Sequence, residues 1–289
     1  MLFLLSTIRG EIWMLNRFAK ALMAVGPLFL LFSCSCGTIG SQASKNSLTI
    51  PRSSFLKIDV IMAKRNCNPE TKICEIERAD FISGSGFVID RAPQGGTYVM
   101  TAAHVCEPKH ILDLFFRNQK YILEFVGVTK EKDKFSMHVL ELDHKNDLCL
   151  LYAKTLERTP IPVAEKRLLP GDKIYNIAAP RGVLYRGAPI IVDGIFNGNN
   201  QDSGHDMYTM LVAGGSSGSA IMNEKGEIVG MVSMMDLRFP FIVYSPSHAN
   251  LREFANRAII YHSLHAVPSY PEISSCLQGD LGSCGELLQ

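Results

Sequence analysis

The chain has almost no charge imbalance. Twenty-nine Lys and Arg stand against 28 Asp and Glu among 289 residues, a formal net charge of +1, and no dense Lys/Arg stripe occurs. A polyanionic partner needs clustered cations, so the composition argues against nucleic acid. Metal-knuckle spacing is also missing. Outside Cys34 and Cys36, no two cysteines lie close enough in sequence for a zinc knuckle. His262 and His265, which would share a helix face, read as an incidental pair. No metal and no organic cofactor is expected. Helical periodicity is nearly absent before residue 245.

What is present instead is a succession of short strands separated by Gly, Pro, Asn and Asp clusters, the pattern of a sandwich or barrel. Candidate strands in the first half are 55–62, 86–89, 98–102, 111–116, 121–128, 136–142 and 148–152. The segment 153–169, with Pro160, Pro162 and several charges, reads as a connection. A second set follows at 173–177, 189–193, 207–212, 219–222, 228–234 and 241–244. The charged run 131–134 reads as a solvated hairpin tip. Ser247 then caps a helix over about 247–258, in which Leu251, Phe254, Ala255 and Ala258 recur at helical spacing.

Three segments carry chemistry: TAAHVC around His104, NDLCLLYA around Asp147 and GGSSGSAI around Ser217. A serine hydroxyl is a poor nucleophile at neutral pH, so a base must take its proton during attack on a carbonyl. His104 is the candidate base. An imidazole in that role needs a carboxylate to fix its tautomer and stabilise the imidazolium. Asp147 is preferred over Asp143 because the apolar run 148–151 follows it directly. The oxyanion of the tetrahedral intermediate needs preorganised donors in a tight turn, and the backbone N–H groups of Gly215 and Ser217 are the candidates. Ser216 and Ser219 are rivals of Ser217, but Ser217 alone has Gly218 directly after it and Gly215 two before.

These segments, in the order His, Asp, Ser, resemble the trypsin-like, or chymotrypsin-fold, serine proteases. The histidine context is residues 101–104, the aspartate opens the apolar strand at 147–151, and the serine turn is 215–219. The stretch 215–233 is similar to the bacterial high-temperature-requirement branch, with Asn223 and Gly226 in a hairpin and Gly230 and Ser233 on the returning strand. SGSGFVID, residues 83–90, is similar to the strand preceding the histidine in those enzymes. The resemblance covers about 54–258. It implies an all-β fold of two six-stranded antiparallel β-barrels with the active site in the cleft between them, plus a C-terminal helix. Barrel one would span about 54–153, barrel two about 170–245 and the helix about 247–258.

Two departures from the family pattern are informative. Ser216 stands where digestive members have an aspartate that pairs with a new N-terminus, so activation by N-terminal insertion is not expected. Leu211 stands where trypsin has its pocket-floor aspartate. Leu211, Ser233, Met234 and Met235 are therefore assigned to substrate binding in an apolar pocket suited to aliphatic or small side chains before the scissile bond. The expected activity is that of a serine endopeptidase acting on protein or peptide through an acyl-enzyme. The alternative is a catalytically inactive binding protein on the same fold. An esterase of the G-x-S-x-G kind is disfavoured because its order along the chain is Ser, Asp, His.

The N-terminus reads as a targeting segment. Arg17 and Lys20 precede an apolar stretch over 21–32, and LFSC ends at Cys34. This resembles a bacterial lipobox, with lipidation and a membrane tether at Cys34 as one outcome. Cleavage near Gly37 or Ser44, and retention as an anchor, stay open beside it. The leader would span 1–36 and a polar tether 37–53, with the catalytic part exported to a periplasmic or cell-surface location. About thirty residues, 259–289, form a cysteine-bearing tail, too short for the peptide-binding module that often follows in this branch. An oxidising compartment permits disulfides. Cys67 with Cys74, and Cys276 with Cys284, are the candidate pairs. Cys106 and Cys149 lie two residues after His104 and Asp147 and are expected as buried free thiols rather than a bridge.

Overall fold

A computed structural model describes residues 50–68, 70–71, 74–116, 121–184 and 187–265. Six strands close a first barrel in the order β1-β2-β3-β6-β5-β4. They are β1 (Phe55–Cys67), β2 (Cys74–Arg91), β3 (Thr97–Thr101), β4 (Tyr121–Val128), β5 (Lys134–Asp143) and β6 (Leu148–Ala153). In β1, Ile58, Val60 and Met62 are fully buried while Lys57, Asp59 and Ile61 between them are partly exposed, the alternation that fixes a strand's register. β3 and β6 are buried along their whole length and pair with each other. The hairpin between β4 and β5 turns at residues 129–133, with Lys132 in the left-handed region at φ 72°.

One expected strand of the first half is a helix. Residues 111–116 fall largely in α2 (Lys109–Phe115), after the four-residue α1 (Ala103–Cys106). The apolar spacing explains the difference. Leu112 and Phe116 are four apart and pack together on Met62, which suits a period of 3.6 and not of two. The remaining six strands of the first half are the ones that close the barrel.

The second half is a seven-stranded sheet in the order β11-β10-β7-β8-β9-β13-β12, not a six-stranded closed barrel. Its strands are β7 (Lys173–Ala178), β8 (Ile190–Asn199), β9 (Asp206–Met210), β10 (Ala220–Met222), β11 (Ile228–Met231), β12 (Met234–Met235) and β13 (Ile242–Ser245). The extra strand arises because the run expected over 228–234 changes partner midway. Val232 N–H donates to the Ser219 carbonyl, whereas Ser233 N–H donates to the Tyr244 carbonyl. β11 and β12 are the two edges of the sheet and only Val232 and Ser233 separate them, so the sheet curls until its edges meet. The hairpin before β11 turns at Asn223, whose side-chain oxygen accepts from Lys225 and Glu227 N–H, with Gly226 at φ 77°.

α3 (His248–Leu264) runs further than the sequence expectation, and its N-cap is Ser247, whose hydroxyl accepts from Asn250 N–H. Leu251, Phe254, Ala255 and Ala258 form its buried stripe. They share one apolar cluster with Leu148 and Leu150 of β6 and with Ala220, Met222 and Ile228 of the second sheet. Burial of each large side chain in such a cluster is worth about 1.5–3 kcal/mol.

Candidate active site

His104 sits in α1, directly after β3, and Asp147 directly before β6, the strand that pairs with β3. This pairing brings the two together although 43 residues separate them. Asp147 takes the left-handed conformation at φ 53°. Its carbonyl accepts from Ala103 N–H at 3.1 Å. Its carboxylate accepts from His104 N–H at 3.0 Å and lies 2.9 and 3.0 Å from His104 Nδ1. The carboxylate thus defines which ring nitrogen carries the proton and leaves Nε2 on the far side of the ring.

Asp143, the rival carboxylate, has a different task. Its two oxygens accept from the backbone and the side-chain amide of Asn146 at 3.0 and 2.7 Å, closing the turn that delivers Asp147. Asn250 of α3 in turn donates to Asn146 Oδ1 at 2.7 Å.

Ser233, assigned from sequence to the substrate pocket, is buried, and its hydroxyl donates to Asp147 Oδ2. Its side chain thus serves the carboxylate. Burial alone pushes the Asp147 carboxyl up. Hydrogen bonding and charge attraction from His104, then the Ser233 hydroxyl and the His104 backbone amide, outweigh burial and hold it below the usual carboxylate value.

Ser217 lies on a turn of the second unit that is pressed against the first. Ser85 of β2, fully buried, is the hub of that contact. Its N–H donates to the Ser217 carbonyl at 2.8 Å and its hydroxyl to the Gly215 carbonyl at 2.8 Å. The same hydroxyl accepts from Ala179 N–H at 3.0 Å, and the Ser85 carbonyl accepts from the Thr101 hydroxyl at 2.7 Å. Two glycines make the approach feasible. At Gly84 a Cβ would meet the Val105 side chain at 2.8 Å and the Ser217 carbonyl at 3.4 Å, so the turn abuts the helix that carries His104. At Gly218, φ 83°, a Cβ would fall 2.1 Å from the Thr101 hydroxyl and 2.3 Å from the Ser85 carbonyl.

Within the turn, Ser216 N–H donates to the Ala213 carbonyl and Gly218 N–H to the Val232 carbonyl. The Gly214 carbonyl accepts from Arg181 N–H at 2.5 Å, which points the Gly214–Gly215 peptide in one direction. Among the described residues, neither Gly215 N–H nor Ser217 N–H has a hydrogen-bond partner. Donors without a partner in a turn around a serine are what a developing oxyanion requires.

Two further sequence assignments are revised, that of Leu211 and that of Cys106 with Cys149. Leu211 is 72% exposed, so it does not form a pocket floor. Burial alternates along β9 and onward, with Tyr208, Met210 and Val212 inward, and that period of two turns Leu211 to solvent. Met234 is half exposed, while Met235 packs partly on the second apolar cluster. Cys106 and Cys149, expected as free thiols, form a disulfide. α1 ends beside the β3–β6 pair, where Thr101 faces Cys149, bringing the two Cα atoms within 6.5 Å, inside the range a bridge needs. Cys67 and Cys74 face each other in the β1–β2 register. Cys34, Cys276 and Cys284 lie outside the described residues.

A profile of the trypsin-like peptidase domain matches residues 84–231, which contain His104, Asp147 and Ser217. A serine protease HtrA-like protein of Staphylococcus aureus (strain USA300) is 25% identical over 211 residues, which are 67% of this chain and 25% of that protein. The chain therefore spans about a quarter of the length of the curated relatives it matches. The crystal structure of the serine endoprotease from Yersinia pestis aligns with a TM-score of 0.50 at 15% identity, over 73% of this chain and 64% of that one. That likeness speaks for the fold alone.

Proposed function

Since the chain belongs to the trypsin-like peptidase family, we propose that it is a serine endopeptidase in which Ser217 is the nucleophile, His104 the general base and acid, and Asp147 the group that orients His104. The observation that carries this reading is the grip of the Asp147 carboxylate on His104 Nδ1, at 2.9 and 3.0 Å, beside the turn that presents Ser217.

In this mechanism Ser217 Oγ attacks the scissile carbonyl carbon while its proton passes to His104 Nε2. The carbonyl oxygen becomes an oxyanion held by Gly215 and Ser217 N–H. Collapse breaks the C–N bond, and His104 returns the proton to the leaving amine, giving an acyl-enzyme on Ser217. A water then repeats the sequence in reverse, losing its proton to His104 and releasing the acid. Asp147 stays ionised throughout, and its depressed affinity for protons supports that. An apolar residue before the scissile bond is the proposed preference, supported by Met234, half exposed directly after Ser233. Export to an oxidising compartment is the proposed location, supported by the Cys106–Cys149 disulfide.

The test is intact-mass spectrometry of the purified full chain before and after a fluorophosphonate, with peptide mapping. One adduct on Ser217, absent in Ser217→Ala, is expected, together with peptide turnover that falls to background in that variant. Folded protein without an adduct would replace this reading with that of a non-catalytic binder on the same fold.

A further inference from the structure

The Cys106–Cys149 bond repeats the geometry of the His104–Asp147 pair two residues on. Both pairs are 43 residues apart, so the bond and the ion pair are two rungs between the same two segments. We propose that this disulfide is a positioning brace for His104 against Asp147, and that the hydrolytic activity proposed above, on which this inference rests, depends on the bond being formed.

The case begins with how little else holds α1. It has four residues, Ala103–Cys106, and no side-chain cap at its start. A single helical turn is far below the length at which a helix supports itself in water. The His104 side chain is 47% exposed, so burial does not anchor the imidazole. Its position is set by the two ends of the turn. The first end is tied to Asp147 through Ala103 N–H to the carbonyl and His104 N–H to the carboxylate. The second end is Cys106, joined covalently to β6, the wholly buried strand that Asp147 introduces. With the bond cut, that end keeps the packing of Val105 and Cys106, the Glu107 N–H bond to the Ala103 carbonyl and the half-exposed Glu107–His144 contact at 3.0 Å; none of these is covalent, and the ring gains freedom to pivot about Asp147. A displacement of about 1 Å in a catalytic group is enough to cost about 10²-fold in rate.

Cutting the bond takes two electrons and two protons. A dithiol donor supplies both, leaving thiols on Cys106 and Cys149 and becoming a disulfide itself. Both cysteines are buried, at 3% and 0% exposure, so the donor reaches the bond only when the barrel opens. The brace is therefore installed during folding and stays closed in the native protein.

The experiment compares the oxidised full chain with Cys106→Ala/Cys149→Ala, at a temperature where circular dichroism finds both folded. Should that variant not fold, Cys106→Val/Cys149→Ala, which restores lost volume, takes its place. Two readouts are recorded. For hydrolysis of an activated ester and for fluorophosphonate labelling of Ser217, we expect kcat and the labelling rate to fall about 10²-fold while KM moves little. In a Ser217→Ala background, the low-field proton NMR signal of the His104 Nδ1–H shared with Asp147 should be present in the oxidised chain and be lost or broadened without the bridge. A folded bridge-free variant with parental kcat and an intact low-field signal would overturn the brace and leave a bond that only stabilises the fold. If the oxidised parent itself takes no label, the peptidase reading fails, and the NMR readout, which needs no nucleophile, still decides the brace.

Discussion

The two halves of the molecule hold their share of the site in opposite ways. The first closes into a barrel, and His104 and Asp147 sit at the ends of strands paired to each other, linked by a covalent bond. The second is a sheet whose edges meet only through Val232 and Ser233, and Ser217 rides on a turn with Gly215 and Gly218 at φ 92° and 83°. His104 and Asp147 are thus fixed by their own half, whereas the turn that carries Ser217 takes its shape from contacts with the first barrel. The two kinds of support should fail differently when disturbed.

The largest effect should come from the carboxylate. Asp147→Asn keeps the strand ends and the bridge but offers His104 Nδ1 an amide, and kcat should fall about 10⁴-fold with KM little changed. Steady-state kinetics on a folded variant checks this, and a loss below tenfold would contradict the role given to Asp147.

Next comes the contact between the halves. Gly218→Ala places a methyl group into Thr101 and Ser85 at a backbone angle that L-residues avoid. The turn must lift off the first barrel, and Ser217 labelling should slow by about 10²-fold while the His104–Asp147 proton signal survives. Loss of that signal as well would mean that the halves are not independently supported.

The smallest effect belongs to Ser233, which reaches from the second sheet to the carboxylate. The Asp147 carboxyl titrates below its unfolded value. Its contribution to stability is therefore complete above the ordinary carboxylate pKa and is lost as pH falls through the depressed folded value. Ser233→Ala removes one of the bonds that depress it. Acid unfolding should begin at higher pH than in the parent, stability at neutral pH should drop by about 1.5–3 kcal/mol, and kcat should fall only a few-fold. Denaturant titrations across pH would test it, and an unchanged acid midpoint would separate Ser233 from the carboxylate.

His104, Asp147 and Ser217 stand out in the sequence because each is announced by its immediate neighbours: the T-A-A before His104, the apolar run after Asp147, the glycines around Ser217. The helix stripe at Leu251, Phe254, Ala255 and Ala258 was legible for the same reason. Residues that act through distant partners were not. Ser233 and Asp147 are 86 positions apart, and Ser85 and Gly215 are 130; nothing local marks either pair. The Cys106–Cys149 bond depends on the pairing of β3 with β6, which spacing alone does not reveal. Two errors, by contrast, had a local remedy. The outward turn of Leu211 follows from the alternation along β9, and the four-residue spacing of Leu112 and Phe116 already favours a helix.

Ser85 belongs to the first barrel, yet its hydroxyl and amide shape the turn that carries Ser217. Order of assembly follows from this. A chain that has folded its second sheet alone lacks the partner that fixes the Gly215 and Ser217 carbonyls, so its serine has no prepared surroundings. On the reading proposed above, the Ser217 turn takes its working shape only when the halves dock, which makes docking the last step before activity.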